Sequence, residues 1–228
     1  NLGLFIKTDN SQQYGGNQIQ SSTMTALEQF SSPTNVTSKD DGYAWTPNIA
    51  VDQNSHAMYV AYEKKDGDVT NLYIKRSDDG GKTFSDPVRV NDKPGAVFLD
   101  GRVPPNVKIG PKGEVYVLWV KGDPAPKLFM TALRGLVLAV STDGAKTFSP
   151  AITVADNEPL ADRSFHALEV SGDGKIYVGW LESPAKKLDN GTIVADSSID
   201  PTIRFVRSLD GGHTFAHSIA LDKNQCER

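Results

Sequence analysis

Two arginines lie in matching settings, Asp100-Gly101-Arg102-Val103-Pro104 and Ala161-Asp162-Arg163-Ser164-Phe165, 61 residues apart. A guanidinium presents a planar fork of N–H donors that fits a carboxylate, so this pair can hold an anionic ligand. The adjacent Asp100 and Asp162 offer a second use, a structural ion pair on each arginine. An earlier segment, Tyr43-Ala44-Trp45-Thr46-Pro47, aligns with both; Ala44 stands in the arginine's place and Trp45 joins the ligand-binding candidates. His166 and Glu182 are placed near the same region. His213 and His217 are four apart, a spacing that pairs metal ligands on a helix but not on the turn and strand expected there, so no metal or cofactor is expected. The chain has no G-x-S-x-G, H-E-x-x-H, P-loop or dinucleotide fingerprint.

The elements that must position these residues follow from a repeat. Ser77-Asp78-Asp79-Gly80-Gly81-Lys82-Thr83-Phe84, Ser141-Thr142-Asp143-Gly144-Ala145-Lys146-Thr147-Phe148 and Ser208-Leu209-Asp210-Gly211-Gly212-His213-Thr214-Phe215 fit S-x-D-x-G-x-T-F, with Ala145 where the pattern wants Gly. They start 64 and 67 residues apart, and such a period built of strands and turns means a repeat architecture. A tight turn between antiparallel strands leaves backbone N–H groups for a Ser or Asp side chain to accept from. Gly81 and Gly212 suit positive φ. Phe84, Phe148 and Phe215 pin each turn against its sheet. Asp79, Asp143 and Asp210 are therefore turn-builders and not catalytic acids.

Strand pairs precede each turn: 48–52 with 58–62, 106–109 with 115–119, and 167–170 with 176–180. A closing strand follows each, at 87–90, 151–154 and 218–221. The strands around Tyr59, Tyr116 and Tyr177 are apolar at nearly every position, which predicts sheets covered on both faces. Radial repetition of such four-stranded units makes a propeller. The units are 43–95, 96–156 and 157–228, preceded in 1–42 by a degenerate half-repeat and a connecting segment. No helix beyond two turns is expected; one short turn fits Met24 to Phe30. The longest insert, Ser183 to Pro201, offers a partner-binding loop.

The eight-residue pattern resembles the Asp box of the sialidase (neuraminidase) superfamily and of other Asp-box β-propellers. The resemblance covers about residues 43–222 and implies an all-β, six-bladed Asp-box propeller, of which about three and a half four-stranded blades are present. It also implies that the boxes lie on outer hairpins, away from the central funnel, and that the arginine segments lie at its mouth. Gly101-Arg102-Val103-Pro104 looks like the x-R-I-P motif, whose Arg grips the substrate carboxylate. In that family the motif opens the blade before the first box, where this chain has Trp45-Thr46-Pro47; the family's acid/base Asp would fall near Asp66 or Asp68. The expectation is a non-catalytic scaffold that binds protein or glycan, with part of an exo-α-sialidase as the alternative. The chain is expected to be a fragment, or to have its missing blades supplied by a protein partner.

Hydrophobic residues make up 38 % and charged residues 23 % of the chain, with 20 glycines, as in an ordinary all-β domain. A net charge of −4 with no Lys/Arg cluster argues against nucleic acid. The longest clean apolar run, Gly135 to Val140, is too short for a membrane span. Asn35 and Asn190 head acceptor sequons, and the lone Cys226 is either a reactive thiol or half of a disulfide. An extracytoplasmic or secreted location is expected from the resemblance.

Overall fold

The computed structural model divides the chain into two compact units, residues 1–33 and 34–228, and describes residues 33–39, 42–98, 103–122, 135–155 and 160–221. Asp100, Arg102, Cys226, the half-repeat expected in residues 1–20 and the turn at Met24 to Phe30 lie outside the described residues.

The described residues are all-β and form three antiparallel sheets in chain order. Sheet I joins β1 (Ala44–Val51), β2 (Met58–Asp66), β3 (Val69–Ser77) and β4 (Val88–Arg89). Sheet II joins β5 (Asn106–Ile109), β6 (Val115–Lys121), β7 (Gly135–Ser141) and β8 (Ile152–Ala155). Sheet III joins β9 (Ala161–Val170), β10 (Ile176–Lys187), β12 (Thr202–Ser208) and β13 (Ile219–Ala220). The long insert is a hairpin, in which β11 (Ile193–Ala195) pairs with Ala185–Lys187 at the far end of β10.

The sheets stack face to face because β6 and β7 carry apolar residues on both sides. Val115, Val117, Trp119, Val137 and Ala139 share one buried cluster with Tyr59, Ala61, Leu72 and Ile74 of sheet I. The alternate residues Tyr116, Leu118, Val120, Leu136 and Leu138 share another with Ile176, Val178, Trp180 and Val206 of sheet III. Period-two alternation of side chains makes both contacts possible at once. Sheet III corrects the expectation of two covered faces at every repeat. Along β10 buried and half-buried residues alternate from Ile176 to Glu182, so only the face toward sheet II is packed. What covers a strand depends on its neighbour, which its own residues do not encode.

A side-chain ladder ties the inner strands together. Asn48 Oδ1 accepts from the Val107 backbone N–H at 2.9 Å, and Asn106 Oδ1 accepts from that of Leu168 at 3.2 Å. The third position in this series is Ala167, which has no such group. The strands β1, β5 and β9 together line a cleft of about 730 Å³.

Each repeated turn closes through the same bonds. In the first, Ser77 Oγ donates to Asp79 Oδ1 at 2.8 Å and accepts from the Gly81 N–H at 2.9 Å. The Thr83 N–H donates to Asp79 Oδ1 at 2.9 Å and the Thr83 hydroxyl to Oδ2 at 2.7 Å. Asp143 with Ser141 and Thr147, and Asp210 with Ser208 and Thr214, repeat the arrangement. The Thr hydroxyl first, then the Thr N–H and the Ser hydroxyl, hold all three carboxyl groups far below their ordinary pKa. A depressed folded pKa gives stability that is present above the unfolded value and lost as pH falls through the folded one. Acid unfolding is therefore expected to steepen below about pH 4, and Asp143→Asn should flatten that limb in a pH series of urea titrations.

Candidate functional site

The turns and the described candidates Trp45, Arg163 and His166 occupy opposite ends of their sheets. Ser77, Ser141 and Ser208 pair with Met58, Val115 and Ile176 at the starts of β2, β6 and β10. Ala44 pairs with Lys64 near the other end of β2, and Arg163 pairs with Glu182 at the matching distance along β10. Six residues of strand separate the two ends, about 20 Å.

A repeated irregularity shapes the upper end. In sheet I the register shifts between Trp45 and Asn48; in sheet III it shifts opposite the stretch from Gly179 to Leu181. The extra residue falls at Thr46-Pro47 and at Phe165-His166, and Thr46 and Phe165 both hold positive φ, 50° and 51°. Neither residue type favours that region, and a bulge of this kind re-aims the side chains around it. Phe165 is turned outward, 64 % exposed, while His166 is buried. In sheet I the Thr46 hydroxyl donates to Glu63 Oε2 at 2.7 Å, and Glu63 is buried.

Arg163 points inward, only 2 % exposed. Its Nε lies 3.2 Å from Glu182 Oε2. Glu182 Oε1 lies 3.5 Å from Arg204 Nε, and the Trp180 indole N–H donates to Oε2 at 3.3 Å. The arginine meets the Glu182 carboxylate across the strand pair. Arg204 had no local signal in the sequence. It enters through the β10–β12 register, which sets it opposite Trp180.

His166 shows how far burial sets the chemistry here. Desolvation pushes its pKa down to about 4, while the Pro104 carbonyl pulls weakly the other way from outside hydrogen-bonding geometry. The imidazole is therefore neutral near pH 7. A folded pKa below the unfolded value makes protonation favour unfolding. Stability present above about pH 6.5 should decline toward pH 4, by on the order of 3 kcal/mol in total. His166→Gln should remove that part of the stability–pH curve, read by urea unfolding between pH 4 and 8.

At the same end of sheet I, Asp66 is held by several donors. Burial opposes its ionisation, but Asn71, Tyr73 and Lys64 together outweigh it and keep its pKa below the ordinary value. The Tyr73 hydroxyl, 2.7 Å from Asp66 Oδ2, is pushed up to about 12, by burial first and then by that carboxylate. Asp68 lies beyond Gly67 in the β2–β3 hairpin. Trp45 and its neighbour Tyr43 form an aromatic pair, ring centroids 4.6 Å apart at 40°. Tyr43 is 71 % exposed. Trp45, Pro47, Val60 and Tyr62, with Val36 and Thr37, line a hollow of about 230 Å³. Tyr43 and this hollow were not singled out in the sequence, where only the alignment of 43–47 with the arginine segments pointed to them. His213 and His217 are exposed at the opposite end, and no cluster of metal-ligating residues occurs among the described residues. No described helix is long and apolar enough to cross a membrane.

No protein-family model matches this sequence, and no curated protein matches it. Solved structures do match in fold. An α-L-arabinanase from Penicillium chrysogenum complexed with arabinobiose is 13 % identical with a TM-score of 0.51, the match covering 78 % of this chain and 49 % of that one. An α-L-arabinofuranosidase from Fusarium graminearum bound to an iminosugar inhibitor is 11 % identical with a TM-score of 0.51, covering 78 % and 48 %. A polysaccharide lyase, Uly1, is 9 % identical with a TM-score of 0.51, covering 76 % and 40 %. These similarities show the fold, a β-propeller-like arrangement of antiparallel sheets. The chain spans about half the length, or less, of the solved structures it matches.

Proposed function

We propose that this chain is an extracytoplasmic glycan-binding propeller module that binds without turning its ligand over. The observation that carries this reading is the pairing of Glu182 with Arg163 and Arg204. A general acid or base must be within reach of its substrate and free to exchange a proton. Glu182 is buried in ion pairs, Glu63 is buried beside Thr46, and Asp66 is fixed as an anion by three donors. Among the described residues, the Tyr43–Trp45 pair stands open at that end beside a mostly apolar hollow, and Asp68 is exposed in the β2–β3 hairpin. Aromatic faces of this kind suit the C–H face of a sugar ring, and a concave site of this lining suits a neutral sugar. An anionic sugar would have to draw Arg163 out of its pair.

A second reading is favoured by the solved structures of similar fold, whose names include arabinanase, arabinofuranosidase and polysaccharide lyase. Under it the chain is part of a glycan-degrading enzyme; a sialidase is its narrower form. Calorimetric titration of the chain with arabinobiose and with sialyllactose, together with chromatography of the incubated sugars, separates the readings. The expected result is Kd in the range of about 10 μM to 1 mM for the neutral sugar, at least tenfold weaker binding in Trp45→Ala and Tyr43→Ala, and no product. Released monosaccharide would establish the second reading, and absence of binding to either probe would overturn the first.

A further inference from the structure

Sheets I, II and III meet at their turn ends in two equivalent places, and only the first is filled by the chain itself. Tyr59 and Tyr116 each stand second in their strand, opposite the residue before the turn's Ser: Arg76 in sheet I and Val140 in sheet II. Each tyrosine reaches the glycine that follows the Asp of the next sheet's turn. Its hydroxyl lies 3.8 Å from where a Cβ would stand on Gly144, and 3.7 Å from the same point on Gly211. Between sheets I and II the remaining room is taken by Arg76. Its guanidinium lies 5.7 Å from the Tyr59 ring centroid, and Nη1 donates to the Gly144 carbonyl at 3.5 Å. Nε and Nη2 donate to Asp78 at 2.8 and 2.6 Å, and a Cβ added to Gly144 would collide with Nη1. Between sheets II and III, Val140 is too short to reach across. Beyond the chain neighbours of Gly211, only the Tyr116 hydroxyl among the described residues comes within 4 Å of that point. A cleft of about 640 Å³ opens there instead.

We propose that this cleft binds the arginine side chain of a partner protein, whose guanidinium takes the place at Gly211 and Tyr116 that Arg76 takes at Gly144 and Tyr59. The filled groove between sheets I and II identifies the occupant, because the tyrosine and the turn glycine recur and only the arginine is missing. Charge agrees with this. Glu114, Asp173 and Asp210 line the cleft against one lysine, Lys112, and the imidazole of His213, and no arginine lines it. Asp210 is engaged inside its own turn, and Asp173 pairs with Lys175 at 2.6 Å. Glu114 is therefore the counter-charge. Its Oε2 accepts from the Lys112 backbone N–H at 2.9 Å, and its charge, after burial, raises the pKa of Tyr116. In sheet I the carboxylate is on the turn, at Asp78, and Ala57 opens the strand; in sheet II Thr142 is on the turn and Glu114 opens the strand. A guanidinium is planar and weakly hydrated, so it can lie along an aromatic side chain and still donate to a carbonyl and a carboxylate. The cleft is larger than that group alone. Val140, Phe148, Ile152 and Leu209 give it an apolar wall for the aliphatic stem, which favours an arginine carried on a chain. The site lies at the turn end of the sheets, away from Tyr43 and Trp45, and is independent of the glycan-binding reading.

The test is an NMR titration of the isotope-labelled chain with acetyl-Gly-Arg-Gly-amide, followed at the backbone amides of Thr142 and Gly211. Saturable shifts at both are expected, with Kd of about 0.1–10 mM. Acetyl-Gly-Lys-Gly-amide should bind about fivefold more weakly, or less, because an ammonium lacks the planar fork. Free L-arginine should bind about threefold more weakly, since its own carboxylate meets the acidic lining. Val140→Arg lets the chain fill its own cleft as Arg76 fills the first, and should abolish the shifts caused by the arginine peptide. Glu114→Gln reads the same contact without placing a new charge in the cleft, and should weaken the peptide about threefold. No saturable shift at Gly211, equal affinity for the lysine peptide, or unchanged affinity in Glu114→Gln overturns the proposal. So does a folded Val140→Arg chain that binds the peptide as before. Equal affinity for free L-arginine would assign the cleft to the amino acid and overturn the protein partner.

Discussion

Glu182→Ala is expected to destabilise the chain by about 3–5 kcal/mol, because it removes a carboxylate paired with a buried arginine. Arg163 is almost fully enclosed, with its Nε 3.2 Å from the carboxylate that the substitution removes. Removing one partner of a buried pair costs more than removing both, since the desolvation of the survivor is no longer offset. Arg163→Met combined with Glu182→Leu should therefore recover most of the loss; Arg204, with a quarter of its side chain exposed, can turn its charge to solvent. Urea titration at pH 7 with an unchanged m-value reads the effect directly. Glu182→Gln separates structure from binding. It keeps an acceptor for the Trp180 indole and removes the charge that Glu182 sets against Arg163 and Arg204, so a site built to grip an anionic sugar would gain affinity for sialyllactose. Under the neutral-glycan reading that affinity stays absent while stability falls.

The parts of this chain that could be read from sequence are those whose partners lie within a few residues. Ser77, Asp79, Gly81 and Thr83 satisfy one another inside a single turn, so eight letters specify its bonds and their recurrence specifies the sheets. The second and third strand pairs followed for the same reason, since each is bounded by its own glycine-containing turn, Gly110 to Gly113 and Ser171 to Gly174. The candidate site is different, because its chemistry depends on register. Glu182, far from Arg163 in sequence, meets the arginine through strand pairing and a bulge that no residue at 165–166 announces; Phe165 and Thr46 adopt positive φ without being glycine or asparagine. The open face of sheet III was hidden for the same kind of reason. Tyr177, Gly179 and Leu181 look as apolar as Tyr116, Leu118 and Val120, and only the neighbouring sheet distinguishes them.

Gly212→Ala should be the most damaging change in the repeated turns, at about 2–4 kcal/mol. Gly212 holds φ at +90°, and an added Cβ would lie 2.9 Å from both Ile176 Cδ1 and Leu138 Cδ2. Backbone strain and overpacking therefore act together. Gly80, at φ +72° with nothing within 4 Å, isolates the first effect, and Gly80→Ala is expected to cost about 1–2 kcal/mol. The chain itself shows how the second effect can be avoided. In sheet II the position equivalent to Gly212 is Ala145, held at φ +68° and buried. There the residue opening the strand is Val115 in place of Ile176, and Ile74 stands where Leu138 stands, all in one cluster with Ala145. Valine lacks the Cδ1 that crowds Gly212, so the methyl of Ala145 has room that sheet III does not provide. Adding Ile176→Val to Gly212→Ala should then restore about 1 kcal/mol relative to the sum of the single changes. Purely additive losses would mean that the backbone angle alone sets the cost, and that Ala145 is tolerated by strain spread through sheet II.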